Sequence, residues 1–380
     1  MYIVVANILV NDNGVQNMEN VAYTCNRLKV VWGELLDHSK MKGFYEIMIA
    51  SDLVSGMRSL LVAAGLGGLR PNTVCIQFFQ PNNANKPDSS LDISASQLQE
   101  NYVSLGTANK STERLDEIFY LLGQFQSHKK LENCNEMVHY CEILADTLIL
   151  EKNLLIARHF SKLNKSLIMD YKRLRKRRHS SFSRSFRFAY RPGAESDTSL
   201  DDMNRFTTID LWSTDECDWG DPCGALALQM QLAFGLHRTE IWEDHTKLRV
   251  IAACQSVPGQ SQDQARRAYD TLKKLLIDIR VEAEVLVLPS VGAALFEEHR
   301  THPLTETEHC AELNAMVIEH SSDKACVVFL PLPRPPSHSM INHSVAADYI
   351  ENLEILTQGL PPTILCAPGA NIAPIVTTEL

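Results

Sequence analysis

The sequence predicts an α/β fold of two lobes with mostly parallel sheets. Three observations predict it. Short apolar runs alternate with amphipathic stretches along most of the 380 residues. The runs are nearly continuous in apolar residues, the pattern of strands covered on both faces. Single helices of ordinary length separate successive strands, which implies right-handed crossover units and parallel pairing.

In the first lobe, expected over 1–160, Tyr2 to Leu9 reads as a strand and Val21 to Asp37 as a helix. Phe44 to Ala50 is a second strand, Leu53 to Ala64 a helix and Thr73 to Phe79 a third strand. Residues from Gln80 to about 112 are rich in Asn, Pro, Ser and Gln and read as a flexible insertion. Asn135 to Leu150 resumes helical spacing, and Asn153 to Ala157 is a short strand. Residues 161–205 form a basic, Ser-rich linker, because such charge blocks rarely build a core. The second lobe, 206–380, repeats the alternation. Strands begin at Thr207, Lys247, Glu282, Ala325 and Thr363, with helices at Cys223 to His237, Gln262 to Ile279, Glu306 to His320 and Ala346 to Thr357. The whole is an arrangement of the Rossmann-like or universal-stress-protein-like kind.

Composition narrows the function classes. Hydrophobic residues make up 45% and charged residues 22%, a globular balance. A net charge of -10 argues against a nucleic-acid partner, since phosphate binding needs a basic excess. A spanning helix needs about 20 apolar residues, and stretches such as Val281 to Leu288 and Ala325 to Leu332 are far shorter. Met1 to Val10 has neither the basic flank nor the cleavage site of a signal peptide. The chain alone is therefore expected to be soluble and cytosolic. Its ten cysteines contain no CxxC pair and read as small core residues in a reducing compartment. Cys134, His139 and Cys141 match no metal signature. No metal and no cofactor is expected.

Gly65-Leu66-Gly67-Gly68 follows a helix and precedes a strand, the reverse of a phosphate-cradling loop. Its glycines read as a structural turn that ends the helix in the left-handed conformation, with Pro71 enforcing the exit. Asp210, Asp215, Glu216, Asp218 and Asp221 read as a solvated acidic loop after a strand, not as a calcium loop. Arg177-Arg178-His179-Ser180-Ser181 is the regulatory candidate. Ser180 and Ser181 are the candidate phosphorylation sites, and Arg177 and Arg178 would be read by a kinase or by anionic lipid. Leu330 to Pro336 reads as a rigid exit loop, with an SH3-type ligand as the alternative. No acid, base and nucleophile converge in the sequence, so no catalytic residue is assigned and a soluble enzyme is the least supported reading.

Ser51-Asp52-Leu53 through Gly65-Leu66-Gly67-Gly68-Leu69-Arg70-Pro71-Asn72-Thr73-Val74 resembles the cytosolic C-terminal domain of the cation-chloride cotransporters, solute carrier family 12. Leu356 to Cys366 resembles the final helix and strand of that domain, and Phe329 to Pro336 is most similar to the branch of cotransporter-interacting proteins. The resemblance implies a regulatory and dimerisation domain of a membrane protein that couples chloride and cation symport. It implies a transmembrane transport domain as partner, a homodimer or a heteromer with related cotransporters, and a protein kinase acting at the linker. It places the intact protein at the cytoplasmic face of a plasma or endolysosomal membrane. The transport domain and a strand upstream of Tyr2 have no counterpart here. A fragment, a truncated gene model or a short isoform is therefore expected, with an apolar sheet edge left open. The alternative reading is a soluble universal-stress-like domain that binds a nucleotide or small ligand.

Overall fold

The structure is a computed structural model that describes residues 3–10, 18–38, 42–65, 70–79, 135–163, 208–214, 224–243, 246–254, 261–289 and 305–369. The chain divides into two compact units. One takes Met1–Val74, Phe79–Asn153 and Pro335–Ile350; the other takes Cys75–Phe78, Leu154–Arg334 and Glu351–Leu380.

The first unit opens with β1 (Ile3–Val10), α1 (Met18–His38), β2 (Gly43–Ala50) and α2 (Leu53–Ala63). β1 and β2 pair in parallel without a break from Ile3↔Gly43 to Val10↔Ala50. α1 buries Val21, Leu28 and Val31, which recur on one helical face. α2 starts at Asp52, whose carboxylate accepts from the Ser55 amide at 2.8 Å and satisfies one orphan N–H of the first turn. α2 packs on both strands. Gly56 permits the approach: a Cβ there would lie 2.6 Å from Ile8 Cγ2 and 2.9 Å from Ala50 Cβ. α3 (Glu136–Ile149) packs on α2 and buries Cys141, Ile143, Leu144 and Ala145.

The second unit holds a seven-stranded sheet. Its strands are β3 (Thr73–Gln77), β4 (Asn153–Arg158), β5 (Thr208–Ser213), β6 (Lys247–Cys254), β7 (Glu284–Pro289), β8 (Ala325–Pro331) and β9 (Thr363–Ala367), in the order β3-β4-β9-β8-β5-β6-β7. Pairings β5–β6, β5–β8, β6–β7 and β8–β9 are parallel, and β4–β9 is antiparallel. The fold is thus α/β with a mainly parallel sheet, as the apolar runs predicted. β5 is buried at every position and β8 at all but the last, which explains their unbroken hydrophobicity. The connecting helices are α4 (Ala225–His237), the short α5 (Glu240–Glu243), α6 (Ser261–Asp278) and α7 (Glu306–Ser321), followed by α8 (His343–Thr357), whose residues up to Ile350 count with the first unit. α7 begins with a capping box, Thr305 and Glu308 exchanging bonds.

From β5 the chain adds β6 and β7 on one side, then returns to add β8 and β9 on the other. The strand order therefore reverses between β5 and β8, the switch point of a doubly wound sheet.

Candidate functional site

Asp210 is not part of a solvated loop. It lies inside β5 with its carboxylate fully buried, and β6 brings Arg249 beside it through the pairing Asp210↔Arg249. Arg249 Nε donates to Asp210 Oδ1 at 3.0 Å, and Arg249 Nη2 donates to Oδ2 and, at 2.8 Å, to the His320 carbonyl. Ser321 Oγ donates to Asp210 Oδ2 at 2.6 Å and accepts from Trp212 Nε1 at 3.1 Å. The fork of the guanidinium matches the carboxylate, so both groups are held in the interior by directed bonds. The network is buried and offers almost no surface to a substrate; it pins β5, β6 and the end of α7. Asp215, Glu216, Asp218 and Asp221 lie outside the described residues.

At the glycine turn only Gly65 is described, and its N–H does not bond a carbonyl of α2 as a left-handed helix cap would. Ala64 is the C-cap of α2, with its N–H on the Leu60 carbonyl, and Gly65 takes φ of 113°, where a side chain is disfavoured. The Gly65 N–H donates to Glu46 Oε1 of β2 at 2.9 Å. Lys152 Nζ donates to the Pro71 carbonyl at 2.6 Å; burial lowers the affinity of this lysine for its proton, and Arg70 adds to the effect. Gly67 and Gly68 lie outside the described residues.

A second polar node lies in the first unit. Asp146 of α3 accepts from Arg58 Nε of α2 at 2.7 Å and meets His338 Nε2 at 2.9 Å. Nothing in the spacing of these residues signals the node, because the partners are 88 and 192 positions from Asp146.

Three buried thiols are inert by environment. Burial pushes Cys141 and Cys326 up to about 12, and Cys366 rises well above the usual thiol value. Among the described residues no group of His, Cys, Asp and Glu could hold a metal ion. The strand β8 ends at Pro331; Leu332, the next residue, is buried with its N–H on the Cys366 carbonyl, and the proline run leaves the strand from there. Ser180, Ser181, Arg177 and Arg178 lie outside the described residues. No helix of the described residues is long and apolar enough to cross a membrane.

The comparisons with known proteins add what the geometry alone does not carry. The family model described as Solute carrier family 12 matches residues 3–100. Solute carrier family 12 member 9 of Danio rerio is 25% identical over 359 residues, covering 92% of this chain and 34% of the relative. The protein of the same name from Xenopus laevis is 25% identical over 364 residues, covering 92% and 35%. The chain is similar to solute carrier family 12 proteins. Vacuolar cation-chloride cotransporter 1 of Saccharomyces cerevisiae matches at 24% over 279 residues, 69% of this chain and 21% of the yeast protein. The chain spans about a third of the length of the two member 9 relatives.

Proposed function

We propose that this chain is the non-conducting, regulatory and dimerising portion of a cation-chloride cotransporter-like membrane protein, working at the cytoplasmic face of a plasma or endolysosomal membrane. One observation carries the reading. The similarity to member 9 runs over 92% of the chain but a third of the relative, and no described helix in that stretch can span a bilayer. Chloride and cation symport would then belong to the remaining polypeptide, with this chain as its docked partner. Regulation would act through Ser180 and Ser181: a phosphate there adds charge that Arg177 and Arg178 can pair, shifting the linker between two arrangements.

Two measurements test this. Purified chain reconstituted into vesicles with a chloride-sensitive dye is expected to give no flux above protein-free vesicles. Co-expressed with the zebrafish member 9 protein, it is expected to co-purify in detergent. Chloride flux from the chain alone, or no co-purification, overturns the reading.

The switch point between β5 and β8 supports a second reading, a small-ligand domain, because α/β sheets bind ligands there. A rise in melting temperature with millimolar ATP would favour it. The segment after β5 is acidic, with Asp215, Glu216, Asp218 and Asp221, and lacks the glycine pattern that cradles phosphate.

A further inference from the structure

The turn that leads into α8 is clasped to α3 through a side chain. His338 Nε2 lies 2.9 Å from Asp146 Oδ1, and Arg58 Nε of α2 donates to the other oxygen, Oδ2, at 2.7 Å. All three residues belong to the first unit. The clasp is partly open to water, the His338 side chain being 35% exposed and that of Asp146 13%. An ion pair in such a setting is weak, so a single added charge can outweigh it. Ser337 and Ser339 flank His338, both exposed, with their hydroxyl oxygens 3.2 Å apart. The Ser337 carbonyl accepts from the Met340 amide at 2.8 Å and from the Ile341 amide at 3.2 Å, which sets Ser337 at the head of the turn.

The residues before the turn single out that serine. Arg334 stands three positions ahead of Ser337 and is exposed. A cation at that spacing is the charge pattern that the acidic groove of an arginine-directed kinase selects. Among the described serines Ser161 shares the spacing, three positions after Arg158. There the guanidinium is already occupied: Arg158 Nη2 donates to Glu354 Oε1 at 3.1 Å, and Cζ lies 3.9 Å from the centre of the Phe78 ring.

We propose that Ser337 is a phosphorylation site for an arginine-directed kinase, and that its phosphate releases His338 from Asp146. In the transfer Ser337 Oγ attacks the γ-phosphorus of ATP. The new O–P bond forms as the bond to the β,γ-bridging oxygen breaks, ADP leaves, and the hydroxyl proton passes to the catalytic carboxylate of the kinase. The product carries a charge of about -1.5 to -2 at pH 7, one residue from His338. Its oxygens compete with Asp146 for the imidazole and for Arg58, and its charge repels the carboxylate on which the turn is held. The turn accordingly loosens from α3. This switch is separate from the regulation assigned to Ser180 and Ser181.

The test uses the full chain carrying Ser180→Ala and Ser181→Ala, which keeps the linker serines out of the readout. It is incubated with ATP, Mg2+ and the catalytic subunit of cyclic-AMP-dependent protein kinase, and tandem mass spectrometry locates the phosphate. Ser337 is expected to be modified, and Arg334→Ala to slow that modification about tenfold or more. Hydrogen–deuterium exchange then reads the clasp. The Met340 and Ile341 amides are expected to exchange about tenfold or more faster once Ser337 is phosphorylated. Asp146→Asn without phosphate is expected to show the same rise, and phosphorylation of that variant to add less than about twofold, because the two changes act on one contact. His338→Ala carries this comparison if Asp146→Asn melts below the parent. No phosphate at Ser337, or a rate there that Arg334→Ala leaves unchanged, overturns the site. Phosphate on Ser337 with unchanged or slower exchange overturns the release of His338. Neither result touches the proposed function, which flux and co-purification decide.

Discussion

Asp210 shows how much one residue's meaning depends on its neighbours. In the sequence it is the first of five acids and reads as part of a polar loop. In the structure it is the buried half of an ion pair with Arg249, tied to Ser321 and Trp212. Breaking such a pair from one side leaves a charge uncompensated in the interior, which costs about 3–5 kcal/mol. Arg249→Met should therefore lower stability by that amount in urea titrations. A loss below about 1 kcal/mol would mean the carboxylate finds water or another partner. Asp52 is a smaller case at the surface. As the N-cap of α2, its replacement by Ala should cost about 1 kcal/mol. The Ser55 amide, then its hydroxyl, hold its carboxyl below the usual 3.8. A lowered folded value contributes stability above the unfolded value and loses it as the carboxylate protonates. The difference between Asp52→Ala and the parent should accordingly shrink in melts taken on the acid side of 3.8. Reactivity follows burial in the same way: Cys141, Cys326 and Cys366 should stay unlabelled by thiol reagents until urea unfolds the chain.

At the scale of elements, periodicity is a reliable guide. The run at Lys247 to Cys254 is β6 with the same bounds, and the helix expected from Leu53 is α2. Local signals carry this: apolar spacing marks the helices, unbroken β-branched runs mark the strands, and glycine marks the stops. Two glycines show what backbone and packing each require. Gly359, past the end of α8, has φ of 75°, so Gly359→Ala should cost about 1–2 kcal/mol even though a Cβ there would lie 3.7 Å from Ile318 Cδ1, an ordinary contact. Gly56 in α2 has a different role. An added methyl would intrude on Ile8 and Ala50, so Gly56→Ala should cost about 1–3 kcal/mol by overpacking, read by thermal melting. Comparable melting for Gly56→Ala and the parent would show that α2 can lift off the β1–β2 pair without penalty.

At the scale of the molecule, the strands of the described residues are legible in the sequence and their pairing is not. β3 and β4 come early in the chain, where the sequence reads a first lobe, but they extend the sheet that β5 to β9 build. β4 joins β9 in antiparallel sense through pairs such as Leu155↔Cys366, which lie more than half the chain apart. No local pattern marks such a partnership, because spacing along one strand carries no information about which strand lies beside it. The regulatory candidates Ser180 and Ser181 come wholly from sequence, and the polar node at Asp146 comes wholly from the structure.

The sequence by itself determined the class of fold, the succession of strands and helices, the lack of any apolar stretch long enough to span a bilayer, and the resemblance to solute carrier family 12. All of these are local or cumulative properties, set by spacing, composition and short motifs. Only the tertiary structure decided the strand order, the burial of Asp210 beside Arg249, and the meeting of Arg58, Asp146 and His338. Each depends on which distant segments meet, and hydrophobic patterning says that a strand will be covered without saying by what.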